Sequence, residues 1–330
     1  MDAISTPTSP SPFIAGTNIQ YAWDSTSFGW LKECPRKYYY MQIEYWDSPQ
    51  HAVELQFGIW YGAALERYDR IKAAGMAHEL ALVETVRWIM TTTFGWPGWD
   101  PPNTNRNRET LVRSVIWYLE EFRTDPLDTY ILQNGKPAVE LSFRFELPYG
   151  PAAGYVPDTH TVAIGEYIKI PERGSQPYLL CGHLDRVVNF SGGLYVTDRK
   201  TTKSTISSDW FARFDLDNQM SLYTIAANVV FHAPVKGVVI DGAQIAVGFT
   251  RFARGLTYRT PAQTDEWLND TKLYLRQAEE YAKANYWPMN EKSCFLCIFK
   301  RVCSKDPAVR PIMLESDFVK REWNPLKVRG

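Results

Sequence analysis

Apolar residues recur every three to four positions over residues 52–73, 77–93 and 107–123, a spacing that predicts three amphipathic helices. A shorter helix is expected just before Cys34-Pro35, with Asp24 or Ser25 as its cap. A Pro/Gly/Trp-rich loop, residues 94–104, separates the second long helix from the third. The period then changes. Ala138–Pro148 alternates apolar and polar as a strand does, and further strands are expected around 163–169, 178–190 and 193–199. A helix over 208–232, a strand over Lys236–Phe249, a short strand over Leu256–Arg259 and a long charged helix over Asp265–Asn285 follow. Residues 1–17 are rich in Ser, Thr and Pro and read as a flexible arm, and the last 25 residues read as extended. The expected organisation is an arm (1–17), a helical region (18–130), an α/β core (131–260), a helix with a cysteine triplet (261–305) and a C-terminal extension (306–330).

The 330 residues suffice for one large domain or two smaller ones. The chain holds 12 Trp and 19 Tyr, and its formal net charge is -1. That neutral balance argues against a protein that merely coats nucleic acid, but it leaves room for a basic groove masked by acids at a metal site. No apolar run is long enough for a membrane span and the N-terminus lacks the regions of a signal peptide, so an intracellular, cytoplasmic protein with no membrane partner is expected.

The densest chemistry lies in Gly182–Lys203, GHLDRVVNFSGGLYVTDRKTTK. Two strands flank a Ser-Gly-Gly turn, with Asp185 on the first and Asp198 and Lys200 on the second. Side chains alternate along a strand, so Asp198 and Lys200 share a face and Arg199 takes the other. Two carboxylates and an ammonium can hold a divalent metal and activate a water beside it, which is chemistry suited to cutting a phosphodiester. A surface hairpin with solvated charges would show the same residues. Glu140 adds a third acid from the strand AVELSFRFEL, and His183 shares a strand face with Asp185.

Five cysteines form the second signal. Cys294, Cys297 and Cys303 make C-x2-C-x5-C, Cys34 stands about 260 residues earlier in ECPRKYYY, and Cys181 lies in an apolar strand without a partner at motif spacing. In a reducing compartment such clustering points to metal rather than to disulfides, and four thiolates suit zinc as well as an iron–sulfur cluster.

GHLDRVV…YVTDRKTTK resembles the core motif of the PD-(D/E)XK nuclease superfamily, in its RecB-like branch, and Gln219-Met-Ser-Leu-Tyr223 resembles that branch's Q-x-x-x-Y motif. Gln219 and Tyr223 are four apart and share a helix face. Cys34 with the C-terminal triplet resembles the [4Fe–4S] staple of RecB-like nucleases such as the AddB subunit and the CRISPR-associated adaptation exonucleases. The resemblance spans about residues 25–305. It implies a restriction-endonuclease-like α/β core, a mixed sheet flanked by helices, with a large N-terminal helical region and an Fe–S staple joining the two ends. It implies a DNA exonuclease of recombination or repair, with Asp185 and Asp198 holding Mg²⁺ or Mn²⁺, Glu140 in the outer part of the site, Lys200 orienting water, and Gln219 and Tyr223 positioning Lys200 or the strand. Arg36, Lys37, His183, Arg199, Lys203 and Arg213 are the candidate contacts to substrate. There is no P-loop, so any unwinding would need a helicase or recombination partner. One position departs from the pattern. In Gly58–Glu66, Gly62 stands where the relatives carry a metal-ligating His, which leaves open a DNA-binding or assembly protein with weakened catalysis. Trp23, Trp30, Tyr38, Tyr39 and Tyr40 suit either base stacking or a core.

Overall fold

The computed structural model describes residues 10–49, 53–96, 99, 105–147, 149–150 and 176–328. In chain order its elements are β1 (Ala22–Trp23), α1 (Ser25–Glu33), α2 (Pro35–Tyr38), a π-helical turn (Tyr39–Ile43), β2 (Trp46–Asp47), α3 (Val53–Ala73), α4 (His78–Thr92), α5 (Arg108–Glu121), β3 (Asp128–Thr129) and β4 (Val139–Glu146). They continue with β5 (Leu179–Phe190), β6 (Gly193–Thr202), α6 (Ser208–Ala212), α7 (Asn218–Phe231), β7 (Val238–Ile245), β8 (Thr250–Thr257), α8 (Pro261–Ala284), a 3₁₀ turn (Glu291–Ser293), α9 (Lys300–Cys303), α10 (Arg310–Asp317) and β9 (Val319–Lys320).

Two compact units share these elements. A terminal unit takes residues 1–50, 142–182 and 261–329; a central unit takes 51–141 and 183–260. The division cuts across the linear segments expected above, because each unit is closed by strands and helices distant in sequence.

In the central unit, β5 and β6 are antiparallel, β6 and β7 parallel, β7 and β8 antiparallel, and β3 lies antiparallel to β5. The result is the expected mixed sheet flanked by helices. The parallel β6–β7 pair needs a crossover, and α6 and α7 supply it. All eight residues of β7 are buried, as suits a strand covered on both faces. Helix α3 packs Phe57, Tyr61 and Leu65 into a core with Ile89, Leu111, Val115 and Ile245. A Cβ at Gly58 would lie 3.4 Å from Thr201 Oγ1, an ordinary van der Waals contact, so α3 lies close over β6 here.

Three local expectations change. The single helix over 208–232 is two, because the Asp217 side chain accepts the N–H groups of Gln219 and Met220 and starts α7 afresh. The strand expected to reach Phe249 ends at Ile245, and the short strand after it is the full eight-residue β8. The C-terminal stretch is not wholly extended, since Arg310–Asp317 is helical with Pro at its first turn.

In the terminal unit, Ala22 and Trp23 run parallel to Leu179 and Leu180. Asp24 caps α1 by accepting from Ser27 N at 2.8 Å, and it also accepts from Trp323 Nε1. Part of the expected N-terminal arm is a small hairpin: Phe13 bridges Gln20, and Ile14 N–H donates to Ile19 O. Trp23, Tyr38 and Tyr40 are buried, with Trp23 stacked on Tyr38, so they are core rather than base-stacking residues. The strand expected at 163–169 lies outside the described residues.

Candidate active site and cysteine pocket

The antiparallel ladder between β5 and β6 runs from Phe190–Gly193 to Arg186–Thr197 and stops just before Asp185 and Asp198. Beyond that point the Asp185 carboxylate takes the next β6 amide, accepting from Arg199 N at 3.2 Å. Lys200 Nζ donates to Asp198 Oδ1 at 3.0 Å and to Gln219 Oε1 at 2.9 Å, and Gln219 Nε2 donates to Tyr223 Oη at 2.7 Å. The structure therefore brings Asp185, Asp198, Lys200, Gln219 and Tyr223 into one connected group. Strand alternation delivers the acids and the lysine, and one turn of α7 delivers the glutamine and tyrosine.

Asp198 is almost wholly buried. Burial pushes its carboxyl up to about 7; Lys200 opposes the rise and the Asp185 charge adds to it. Burial works against the Lys200 charge, but Asp198 and Asp185 hold its ammonium above the ordinary lysine value. Lys200 Nζ sits close to both Asp198 carboxylate oxygens, 2.8 Å from Oδ2 and 3.0 Å from Oδ1. Tyr223 is held in its neutral form, by burial first and then by the two aspartates.

Glu140 is close enough for its charge to act on Tyr223, and its φ of 51° places it in the left-handed region within β4. A non-glycine residue held there carries strain, which the surroundings must enforce. Two further acids gather at the site. Asp217, the α7 cap, acts on both Asp198 and Lys200, and nothing in its sequence setting beyond a cap signal marks it. Glu66 feels the Asp185 charge and is bridged to Arg70, which also donates to Val139 O at 3.1 Å beside Glu140. Gly62 lies one turn before Glu66 on α3, and a Cβ built there meets nothing within 4 Å.

The cations proposed for substrate divide. Arg199 is not available to a phosphate: its side chain is buried and paired with Asp69 at 2.5 Å, because the alternation that puts Asp198 and Lys200 on one face of β6 puts it on the other. Lys203 is exposed and lies 3.8 Å from Glu54. Arg213 is exposed and stacks on Trp210 and Phe214. His183 is half-buried on β5. Arg36 and Lys37 belong to the terminal unit, where Arg36 Nε donates to Trp287 O and Lys37 pairs with Glu33.

In the terminal unit Cys34, Cys294, Cys297 and Cys303 line one small pocket with Lys37, Asn290 and Lys300. Asn290 N–H donates to Cys34 Sγ at 3.3 Å. The Asn290 and Ser293 side chains both donate to Glu33 O, tying the triplet's loop to the turn before Cys34. Burial raises the Cys297 and Cys303 thiols, with Lys37 opposing the rise at Cys297 and Arg36 at Cys303. Cys181 stands apart, fully buried, its thiol pushed up to about 12 by that burial.

A family model of the PD-(D/E)XK nuclease superfamily matches residues 26–304. The chain belongs to the PD-(D/E)XK nuclease superfamily. The matched span includes every residue of the acid group and all four pocket cysteines. No curated protein matches the chain. A solved structure titled "Crystal structure of SSO0001" aligns at 14% identity over 50% of this chain and 58% of that one, with a TM-score of 0.25. The aligned part is little more than half of that protein, and a likeness at this level carries no argument.

Membership in this superfamily implies a divalent metal at the acids. Among the described residues, no group of three or more His, Cys, Asp or Glu side chains is drawn close enough to hold an ion alone. The residues present fit Mg²⁺ or Mn²⁺ in another way. Such ions commonly bind one or two carboxylates and complete their shell with water and substrate phosphate. The electrostatic cost of burying Asp198 and placing Asp185 beside it is what a cation relieves. The pocket cysteines, too, are not drawn together as a metal group among the described residues, although four thiols beside two lysines are a donor set that suits a thiolate-held metal or cluster.

Proposed function

We propose that the protein is a Mg²⁺- or Mn²⁺-dependent DNA nuclease that degrades strands from their ends during recombination, repair or other DNA processing. The observation that carries this reading is the junction of Lys200 with Asp198 on one side and Gln219–Tyr223 on the other, beside Asp185 at the end of a strand ladder. Asp185 and Asp198 would hold the ion, with Glu140, Glu66 and Asp217 shaping its surroundings. When bound, the ion lowers the pKa of water and neutralises phosphate charge. Lys200 binds an attacking water or a phosphate oxygen through its ammonium and stabilises the charge that builds at phosphorus. Gln219 fixes the lysine's direction, and Tyr223, kept neutral, fixes the glutamine through its hydroxyl. Lys203 and Arg213 are the exposed cations left to contact the backbone of DNA.

The four pocket cysteines would hold a [4Fe–4S] cluster that closes a very long loop of chain; the Asn290 N–H directed at Cys34 sulfur supports this, as such bonds stabilise ligating thiolates. This sequence carries no P-loop, so any unwinding by this part of the protein would need a helicase or recombination partner. Gly62 supports a second reading, a DNA-binding or assembly protein that has lost cutting, because no imidazole can come from that position.

Digestion of end-labelled single- and double-stranded DNA with Mn²⁺ separates the two. Progressive loss of label with the native protein, and none with Asp198→Ala, is the expected result. DNA that is bound but left intact by the native protein would instead establish the second reading.

A further inference from the structure

The two aspartates of β5 and β6 are each followed by an arginine, Asp185 by Arg186 and Asp198 by Arg199, so the alternation that places the aspartate in the site places a guanidinium behind it. Behind the sheet these cations enter a closed ionic cluster. Arg199 pairs with Asp69 of α3, and Arg186 Nε lies 3.7 Å from the same carboxylate. Arg186 also lies 3.7 Å from Asp125, which accepts from Arg254 Nη1 at 2.6 Å and Nη2 at 2.9 Å. Arg254 reaches Asp241 at 3.4 Å, and Tyr118 donates to Asp241 as well. Sheet register sets the row: Arg199 stands opposite Asp241 and Asp241 opposite Arg254. Three guanidiniums meet three carboxylates, a balanced set that a purely apolar layer could replace without loss of stability.

The cluster touches the site at one point. The residue whose side chain is gripped by Asp69 is the residue whose backbone N–H holds the Asp185 carboxylate, and it lies between Asp198 and Lys200. The β5–β6 ladder ends at Arg186–Thr197, so the β5 edge of β6 is unpaired with β5 at these positions. On the other edge the register with β7 continues through Thr202, and from behind the Asp69 carboxylate of α3 adds a hold on the Arg199 side chain.

We propose that Arg199, clamped by Asp69, is a positioning residue: it sets the β6 backbone so that its own N–H orients Asp185 while Asp198 and Lys200 project at the spacing the metal and substrate require. This rests on the nuclease reading for its consequence in catalysis, but not for its consequence in metal binding. The Asp69–Arg199 pair acts through the acids and touches no substrate.

The test uses the full chain and measures Mn²⁺ affinity by titration calorimetry, kcat and KM on end-labelled DNA, and thermal unfolding. In Asp69→Leu/Arg199→Met the pair gives way to apolar groups of similar size, and the protein is expected to melt near the native temperature. Its Mn²⁺ affinity and kcat should each fall by about 10- to 100-fold, the usual effect of losing a group that orients a metal ligand, with KM for DNA unchanged. Arg199→Lys keeps the charge without the planar fork and should recover part of both. A folded double variant with native Mn²⁺ affinity and kcat overturns the proposal. If the double variant fails to fold, Arg199→Lys decides it, and native Mn²⁺ affinity there also overturns it. A native protein that binds Mn²⁺ but cuts no DNA sinks the nuclease reading alone, since the affinities still decide this one.

Discussion

The acid site of the central unit and the cysteine pocket of the terminal unit are built by opposite means. Strand register places the acids: Asp185, Asp198 and Lys200 fall on one face because of a period of two, and the end of the β5–β6 ladder frees an amide for Asp185 to accept. The cysteines come from segments about 260 residues apart and are held by packing and a few side-chain bonds, such as those of Asn290 and Ser293 to Glu33 O. A register-built site is stiff, and its weak points are the charges themselves. A pocket closed over a long loop depends on whatever keeps that loop closed. Local removal of charge should therefore destroy chemistry and spare the fold in the first region, and removal of one thiol should cost stability in the second.

The largest expected effect tests the first half of that contrast. Asp185→Ala, Asp198→Ala and Lys200→Ala should each reduce cutting by more than ~100-fold, the scale set by losing one preorganised charged group, with melting temperature nearly unchanged. Mn²⁺ binding should be weakened in the two aspartate variants and kept in the lysine variant. Full activity in Asp198→Ala would remove the acid site from the mechanism.

The second half is sharpened by metal analysis. Protein purified without oxygen should be brown with about four irons per chain, as cubane clusters held by four thiolates are. Cys34→Ser should lose the iron and melt at least ~5 °C lower, which at this size corresponds to a few kcal/mol. Cys181→Ser should keep its iron, because that thiol lies away from the pocket. Stoichiometric zinc in place of iron would exclude the cluster.

A smaller effect concerns pH. A carboxyl raised to about 7 is protonated below that value and must release its proton before it can bind a metal. Mn²⁺ affinity should thus climb about tenfold per pH unit up to about 7 and level off above it, the slope for one linked proton. Calorimetry at pH 6 in buffers of different ionisation enthalpy should show a proton released with each ion bound; no release at pH 6 would mean that Asp198 is already charged. The smallest effect is expected at Gly62, where there is room for a side chain on α3. Gly62→His should raise activity at low Mn²⁺ and do little at saturation, since an imidazole suits that metal better than Mg²⁺. Unchanged Mn²⁺ dependence in a folded variant would show that this face of α3 does not serve the site.

Local periodicity alone determined much of this protein. The three long helices before residue 123, the hairpin carrying Asp185 and Asp198, and the shared helix face of Gln219 and Tyr223 all follow from spacings of two, three or four residues, which the backbone geometry turns directly into faces. The cap at Asp217 was the limit of that reading: a helix over 208–232 looked continuous, because apolar spacing hides a break made by one side chain accepting two amides. Tertiary structure decided what spacing cannot address. It turned Arg199 from a candidate phosphate contact into a buried partner of Asp69, 130 residues away. It added Asp217 to the acids, and it divided the chain into units whose pieces are not contiguous. An arginine on a strand reads the same whether water or a carboxylate from a distant helix faces it, and only the packing of α3 on the sheet settles which.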